Sequence, residues 1–131
     1  MATNVKLKSR ELFYPELSYS IVGILYATQN QLGCFAREKQ YGDEIERRLK
    51  EIGMSYTREC SVGSSGNILD FIIDNKIIVE LKAKRVLLKE DFDQVQRYLQ
   101  ETGLKLGLLV NFRAKYLKPM RVIKMDVRLQ Y

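Results

Sequence analysis

The run Leu104-Lys-Leu-Gly-Leu-Leu-Val-Asn-Phe112 is apolar at nearly every position. A half-exposed strand alternates apolar and polar residues, so a continuous apolar run of this length predicts a strand buried on both faces. That requirement calls for helices on either side of a sheet, and the rest of the chain supplies them. From Pro15, apolar positions recur at Leu17, Ile21, Ile24, Leu25, Thr28 and Leu32, a helical spacing that Gly33 ends. A second helix is predicted from about Glu38 to Ile52, with Tyr41, Ile45, Leu49 and Ile52 on one stripe and Gly53 behind it. A third, from about Lys89 to Thr102, buries Phe92, Val95 and Leu99 and ends at Gly103. Between the second and third lie three strands, Ser55 to Val62, Asn67 to Ile73 and Ile77 to Lys82, separated by Gly63-Ser-Ser-Gly66 and by an Asp74-Asn75 turn. The order is ααβββαβ, with room for a last strand from Arg121. This is the pattern of an α/β protein with a mixed sheet flanked by helices. Residues 1–14 are expected to form an N-terminal arm and residues 15–131 a single domain.

Composition narrows the chemistry. The chain has no His, and imidazole is the usual general base near neutral pH and the commonest metal ligand. Serine and cysteine hydrolases that rely on a His base, His-based nucleases and His-ligated zinc enzymes are therefore excluded. Cys34 and Cys60 are too few for a cysteine-only zinc site, which needs about four ligands, and are expected to be inert reduced thiols. No stretch approaches the roughly 18 apolar residues that span a membrane, and the first residues lack the apolar core of a signal peptide. A cytoplasmic location is the expectation.

The net charge of +6 is uneven. Arg113, Lys115, Lys118, Arg121, Lys124 and Arg128 face only Asp126 within residues 113–131, leaving the rest of the chain near neutrality. A second basic knot holds Lys82, Lys84, Arg85 and Lys89. Such clusters, with Tyr116 and Tyr131 interleaved, suit a polyanion, although a solvated basic face has the same composition.

Carboxylates interrupt two of the apolar strands. Asp70 falls in Ile68-Leu-Asp-Phe-Ile-Ile73, and Glu80 with Lys82 in Ile77-Ile-Val-Glu-Leu-Lys82. Side chains alternate along a strand, so Glu80 and Lys82 share a face. Whether Asp70 joins them depends on the hairpin register. A two-residue loop pairs Asp70 with Val79; a three-residue loop, Asp74 to Lys76, pairs it with Glu80 directly. Two adjacent carboxylates repel and raise each other's pKa unless a cation sits between them, and an all-oxygen site favours Mg²⁺ or Mn²⁺. A nearby Lys is then placed to orient or deprotonate an attacking water, or to stabilise charge on a phosphoryl oxygen. A buried ion pair of Lys82 with Asp70 or Glu80, without chemistry, fits the same spacing.

Asp70 followed by Glu80-Leu-Lys82 on the next strand, in an αβββαβ order, resembles the PD-(D/E)XK nuclease superfamily, with its restriction-endonuclease-like fold and here an extra N-terminal helix. More narrowly, the chain looks like the small prokaryotic GxxExxY proteins of that superfamily. Tyr14-Pro-Glu-Leu-Ser-Tyr-Ser-Ile-Val-Gly23 and Gln31-Leu-Gly33 resemble their first helix and its end, and Phe35-Ala-Arg-Glu38-Lys-Gln-Tyr41 falls on the naming motif. Ile78-Val-Glu80-Leu-Lys82-Ala, Gln94-Val-Gln-Arg-Tyr98-Leu and Thr102 to Phe112 follow in order. The resemblance implies a Mg²⁺- or Mn²⁺-dependent nuclease, with DNA the favoured substrate. Asp70 and Glu80 would hold the metal, Glu38 would reach it directly or through water, and Lys82 would be the catalytic amine. Gln94 and Tyr98 would steady Lys82 or the substrate backbone. Lys84, Arg85, Lys89, Tyr98, Arg113, Lys115 and Lys118 are the expected nucleic-acid contacts, while Tyr41 belongs to the core. A homodimer would suit an enzyme that cuts both strands. A catalytically silent nucleic-acid-binding module on the same scaffold is the rival from another class. Three positions depart from the pattern: Phe35 replaces Gly, Gln29 stands where many relatives carry His, and Leu69 replaces Pro. A Phe cannot share the φ > 0 turn of a Gly without strain.

Overall fold

The computed structural model describes residues 13–64 and 66–126, so most of the expected arm, and Arg128 and Tyr131 of the tail, lie outside the described residues. The first helix, α1, spans Pro15–Leu32. Proline suits its first position because no helical partner exists there for the missing N–H. It ends at Gly33, whose φ of 78° lies in the left-handed region and whose N–H donates to the Gln29 carbonyl at 2.7 Å. Helix α2 covers Glu38–Glu51 and α3 covers Lys89–Thr102, with Gly103 in the left-handed cap. The α2 stripe stops at Leu49; Ile52, expected to continue it, lies beyond the helix and is exposed.

The strands are β1 Tyr56–Val62, β2 Asn67–Ile73, β3 Ile77–Lys82, β4 Leu106–Asn111 and β5 Met120–Ile123. They form one sheet in the order β1-β2-β3-β4-β5. Only β3 and β4 are parallel, Ile77 lying opposite Leu106 and Lys82 opposite Asn111. A parallel step needs a crossover, which α3 supplies, and β4 is buried along its whole length as its continuous apolar run requires. The mixed α/β architecture expected from the sequence is the one found.

Helices α1 and α2 cover one face of the sheet, where Leu25, Tyr41, Ile45 and Leu49 meet Phe71, Ile73, Val79, Leu108 and Phe112. Tyr41 is wholly buried and stacks on Phe112 with ring centroids 4.2 Å apart, which places it in the core as expected. Helix α3 covers the other face with Val95, Tyr98 and Leu99 against Leu69, Ile78 and Leu109. Val95 comes so close to Gly107 that a Cβ there would sit 2.6 Å from the valine methyl. The parallel pair therefore carries its C-terminal ends, and the loops that follow them, to one edge between the two helical layers.

Candidate active site

The β2–β3 hairpin has the three-residue loop. Asp74 and Asn75 take left-handed conformations, φ 53° and 54°, which short polar side chains tolerate, and Lys76 N–H donates to the Ile73 carbonyl at 3.0 Å. Ile73 then pairs with Ile77, Ile72 with Ile78 and Phe71 with Val79. The next pair in this register is Asp70 with Glu80, and there the backbone ladder stops. Side chains take over: Asp70 N–H donates to Glu80 Oε1 at 3.0 Å, and Leu81 N–H donates to Asp70 Oδ2 at 2.7 Å.

The disruption extends to β1. Its register with β2 runs continuously on both sides of Glu59 and Asp70 but omits that pair, and Glu59 has φ 57°. Alternation fails across the gap. Tyr56 and Phe71 pack toward α1 and α2, whereas Cys60, Val62 and Leu69, separated from them by even numbers of residues, pack toward α3. Both strands thus turn over at one point, and Asp70 sits at the turnover instead of within either apolar face. There it lines a cavity of about 270 Å³ shared with Glu38, Arg58, Glu59 and Leu81.

Glu80 is 4% exposed. Burial, with the Asp70 charge second, pushes its carboxyl up to about 8, and the Asp70 N–H and Lys82 only partly offset this. Burial also raises Asp70, against the Leu81 N–H, the bond to the Glu80 carboxyl and the charges of Lys82 and Arg58. Burial thus favours the protonated form of both carboxyls relative to a free carboxylic acid.

Lys82 is turned toward α3. Its Nζ donates to Gln94 Oε1 at 3.0 Å and lies 3.8 Å from Asp91 Oδ1. Sequence reasoning anticipated the Gln94 contact and missed Asp91. That carboxylate is 5% exposed, accepts the Leu88 N–H at 2.7 Å and pairs with Lys84 Nζ at 2.9 Å. Burial acts to raise its pKa, but the Leu88 N–H and Lys84, with help from Lys82, hold it below the usual carboxylate range. An acidic residue in the first turn of a helix is the only sequence signal it gave. Asn111, also missed, joins the loops after β3 and β4: its Oδ1 accepts Lys84 N–H at 3.0 Å and Arg113 N–H at 3.3 Å, and its Nδ2 donates to the Lys84 carbonyl at 2.7 Å.

Glu38, the first residue of α2, is exposed and off the buried stripe of Tyr41, Ile45 and Leu49, yet it lines the same cavity as Asp70. Its carboxyl nonetheless bonds the Ala83 backbone and is raised by partial burial and by Asp70, with Lys82 opposing. Tyr98 must be corrected. At 2% exposed, with its hydroxyl donating to the Ile68 carbonyl at 3.3 Å, it is a core residue and offers no surface to nucleic acid. Gln94 and Tyr98 share a helix face, but only Gln94 reaches Lys82. Of the expected contacts, Lys84 and Lys89 are ion-paired, with Asp91 and Asp93. Arg85, Arg113, Lys115 and Lys118 have no carboxylate partner among the described residues. Phe35 avoids the strain expected of it, since the positive φ falls at Gly33 instead. Cys34 and Cys60 are free, and burial raises the Cys60 thiol.

Among the described residues no three acidic, His or Cys side chains converge on one point. The donor set is instead a two-carboxylate one, Asp70 and Glu80, whose mutual repulsion a divalent ion would relieve. That suits a hard cation that keeps several waters and takes the rest of its shell from substrate phosphate.

A fold and a cross-strand acid pair of this kind define a class. The PD-(D/E)XK nuclease superfamily matches residues 15–123, and the chain belongs to it. Its members are nucleases, hydrolases of phosphodiester bonds in nucleic acid that generally use divalent metal ions. Among solved structures the chain is similar to the crystal structure of SSO0001, at TM-score 0.53 and 22% identity, over 92% of this chain and 62% of that one. The chain thus spans less than two thirds of that protein's length, and the likeness is one of fold. A search of curated proteins gave no match. No helix among the described residues is long and apolar enough to cross a membrane.

Proposed function

We propose that this protein is a Mg²⁺- or Mn²⁺-dependent nuclease with DNA as its favoured substrate, and that Asp70, Glu80 and Lys82 are its working residues. The observation that carries the reading is the replacement of ladder bonds by the Asp70 and Glu80 side chains, which costs the sheet regular pairing and leaves a buried acid pair short of positive charge. A bound divalent ion would supply Lewis acidity toward a phosphoryl oxygen and its attacking water. Asp70 and Glu80 would hold it in their ionised form. Lys82, hydrogen-bonded to Gln94, would orient the water through Nζ or neutralise charge building on the phosphoryl group. Glu38, bonded to Ala83, would act from the edge through water. The unpaired cations Arg85, Arg113, Lys115 and Lys118, with Lys84 and Lys89, would hold phosphates.

The same reading includes the narrower GxxExxY kinship, supported by Glu38 and Tyr41 at the motif spacing, together with a cytoplasmic location and a homodimer. The test is cleavage of labelled DNA and RNA oligonucleotides with Mg²⁺, Mn²⁺ or chelator, alongside Lys82→Ala. Metal-dependent cleavage lost in Lys82→Ala supports the reading. Cleavage indifferent to Lys82, or salt-sensitive binding with no cleavage at all, sinks it, the latter in favour of a silent binding module.

A further inference from the structure

We infer that Phe35 and Arg113 form a stacking platform for an unpaired nucleotide, so that the substrate of this site is single-stranded or frayed nucleic acid and not intact duplex. The inference rests on the nuclease reading above and names its substrate class. Phe35 is 80% exposed, and the Arg113 guanidinium lies over its ring, 5.3 Å from the centroid. Arg113 has no carboxylate partner among the described residues, and its Nε is buried without a hydrogen bond. The protein itself therefore leaves both members of the pair unsatisfied.

Both are nevertheless held in place from either side. The Tyr41 hydroxyl donates to the Gly33 carbonyl at 2.5 Å and accepts the Ala36 N–H at 3.1 Å, bracketing Phe35. The Gln29 amide donates to the Phe112 carbonyl at 3.0 Å and the Ala114 carbonyl at 2.7 Å, bracketing Arg113. A second aromatic–cation pair follows on the same loop: Tyr116 is 80% exposed, with Lys115 Nζ 5.5 Å from its ring centroid. The platform is tied to the loops that follow β3 and β4. Arg113 N–H shares Asn111 Oδ1 with Lys84 N–H, two residues from Lys82, and Phe35 is three residues from Glu38.

An exposed ring with a cation over one face leaves its other face for a base and offers a charge for the adjoining phosphate. Pre-ordering the loops lowers the cost of immobilising them on binding. Duplex DNA hides its base faces in its own stack and presents phosphates alone, so it would use the cations and leave the ring idle.

The chain has no Trp, so Phe35→Trp installs the protein's one tryptophan, excited selectively over its tyrosines, at the platform. The experiment titrates full-length Phe35→Trp with a single-stranded oligonucleotide and with its duplex, in chelator to prevent cleavage, and measures anisotropy with wild type and Phe35→Ala. Tryptophan quenching by the single strand but not the duplex is expected. Phe35→Ala should weaken single-strand binding about 5- to 150-fold, the span reported for losing one base–aromatic stack, and leave duplex binding unchanged. Equal quenching by both, no quenching, or single-strand affinity unmoved by Phe35→Ala overturns the inference. Lys82-dependent cutting of duplex without quenching would overturn it while the nuclease reading stood. Quenching without Lys82-dependent cutting would do the reverse.

Discussion

Glu80 and Asp91 both feel the charge of Lys82, yet the fold treats the two carboxyls in opposite ways. Asp91 accepts a backbone N–H and a lysine pair, and its pKa falls. Glu80 faces another carboxyl across a broken strand ladder, and its pKa rises to about 8. The two are equally shielded from solvent, but Glu80 loses more to desolvation than the nearby charge of Lys82 returns, whereas for Asp91 the Leu88 N–H and Lys84 outweigh that loss. Asp91 has its cations from the protein and serves as a fixed post that positions Lys82 and Lys84. Among the described residues the Asp70–Glu80 pair has no salt bridge, only the more distant charges of Lys82 and Arg58, which is how a site for an exchangeable cation differs from a structural ion pair.

The comparison can be broken most forcefully at the acid pair. Asp70→Asn should abolish calorimetric Mn²⁺ binding, and Lys82→Ala should lower cleavage about 10²- to 10⁴-fold, the usual contribution of a positioned acid–base group, while leaving Mn²⁺ binding nearly intact. Asp91→Asn should do the opposite. Removing the charge leaves two lysines without their carboxylate, while the amide oxygen can still accept the Leu88 N–H, for a stability loss of about 1–3 kcal/mol by denaturant unfolding, with metal affinity little changed. If Asp91→Asn removed Mn²⁺ binding instead, the division between the two acids would collapse.

Acidity sharpens the contrast. Glu80 is raised in the folded protein, so between about pH 4.5 and pH 8 the folded state holds a proton that the unfolded state has released, and metal-free stability falls as pH rises through that window. The effect is on the order of 3 kcal/mol from pH 5 to 8 and should vanish in Glu80→Gln. Asp91, lowered, contributes stability that is present above the ordinary carboxylate pKa and lost as pH falls through its folded value. Metal binding should for the same reason tighten toward pH 8 and release a proton, which calorimetry in buffers of different ionisation enthalpy detects. The smallest expected change is that of Glu38→Gln. Acting from the edge, Glu38 should alter Mn²⁺ affinity by about 10-fold at most, and a loss as complete as that of Asp70→Asn would move it into the metal's own ligand set.

The element spans were readable because their causes are local. Pro15 and Gly33 bound α1, Gly103 caps α3, and the unbroken apolar run of β4 announced burial on both faces. Asp70, Glu80 and Lys82 stood out as charges in apolar strands, and Gln94 followed from the resemblance. Asp91 and Asn111 escaped because an acid in a helix's first turn and an Asn at a strand end are ordinary, and their partners, Lys84 and Arg113, belong to loops whose proximity no local pattern encodes. Tyr98 was misplaced because helical spacing tells which residues share a face but not how deeply the face is buried.

By itself, then, the sequence determined the helices, the strands, the absence of imidazole chemistry and the identity of the charged residues inside the sheet. All of these depend on residue type and spacing within one segment. The three-residue loop register, the turnover of β1 and β2 at Glu59 and Asp70, and the burial of Asp70 beside Glu80 were decided only by tertiary structure. Each depends on where one strand or helix stops relative to another, and that is settled by packing across the whole core.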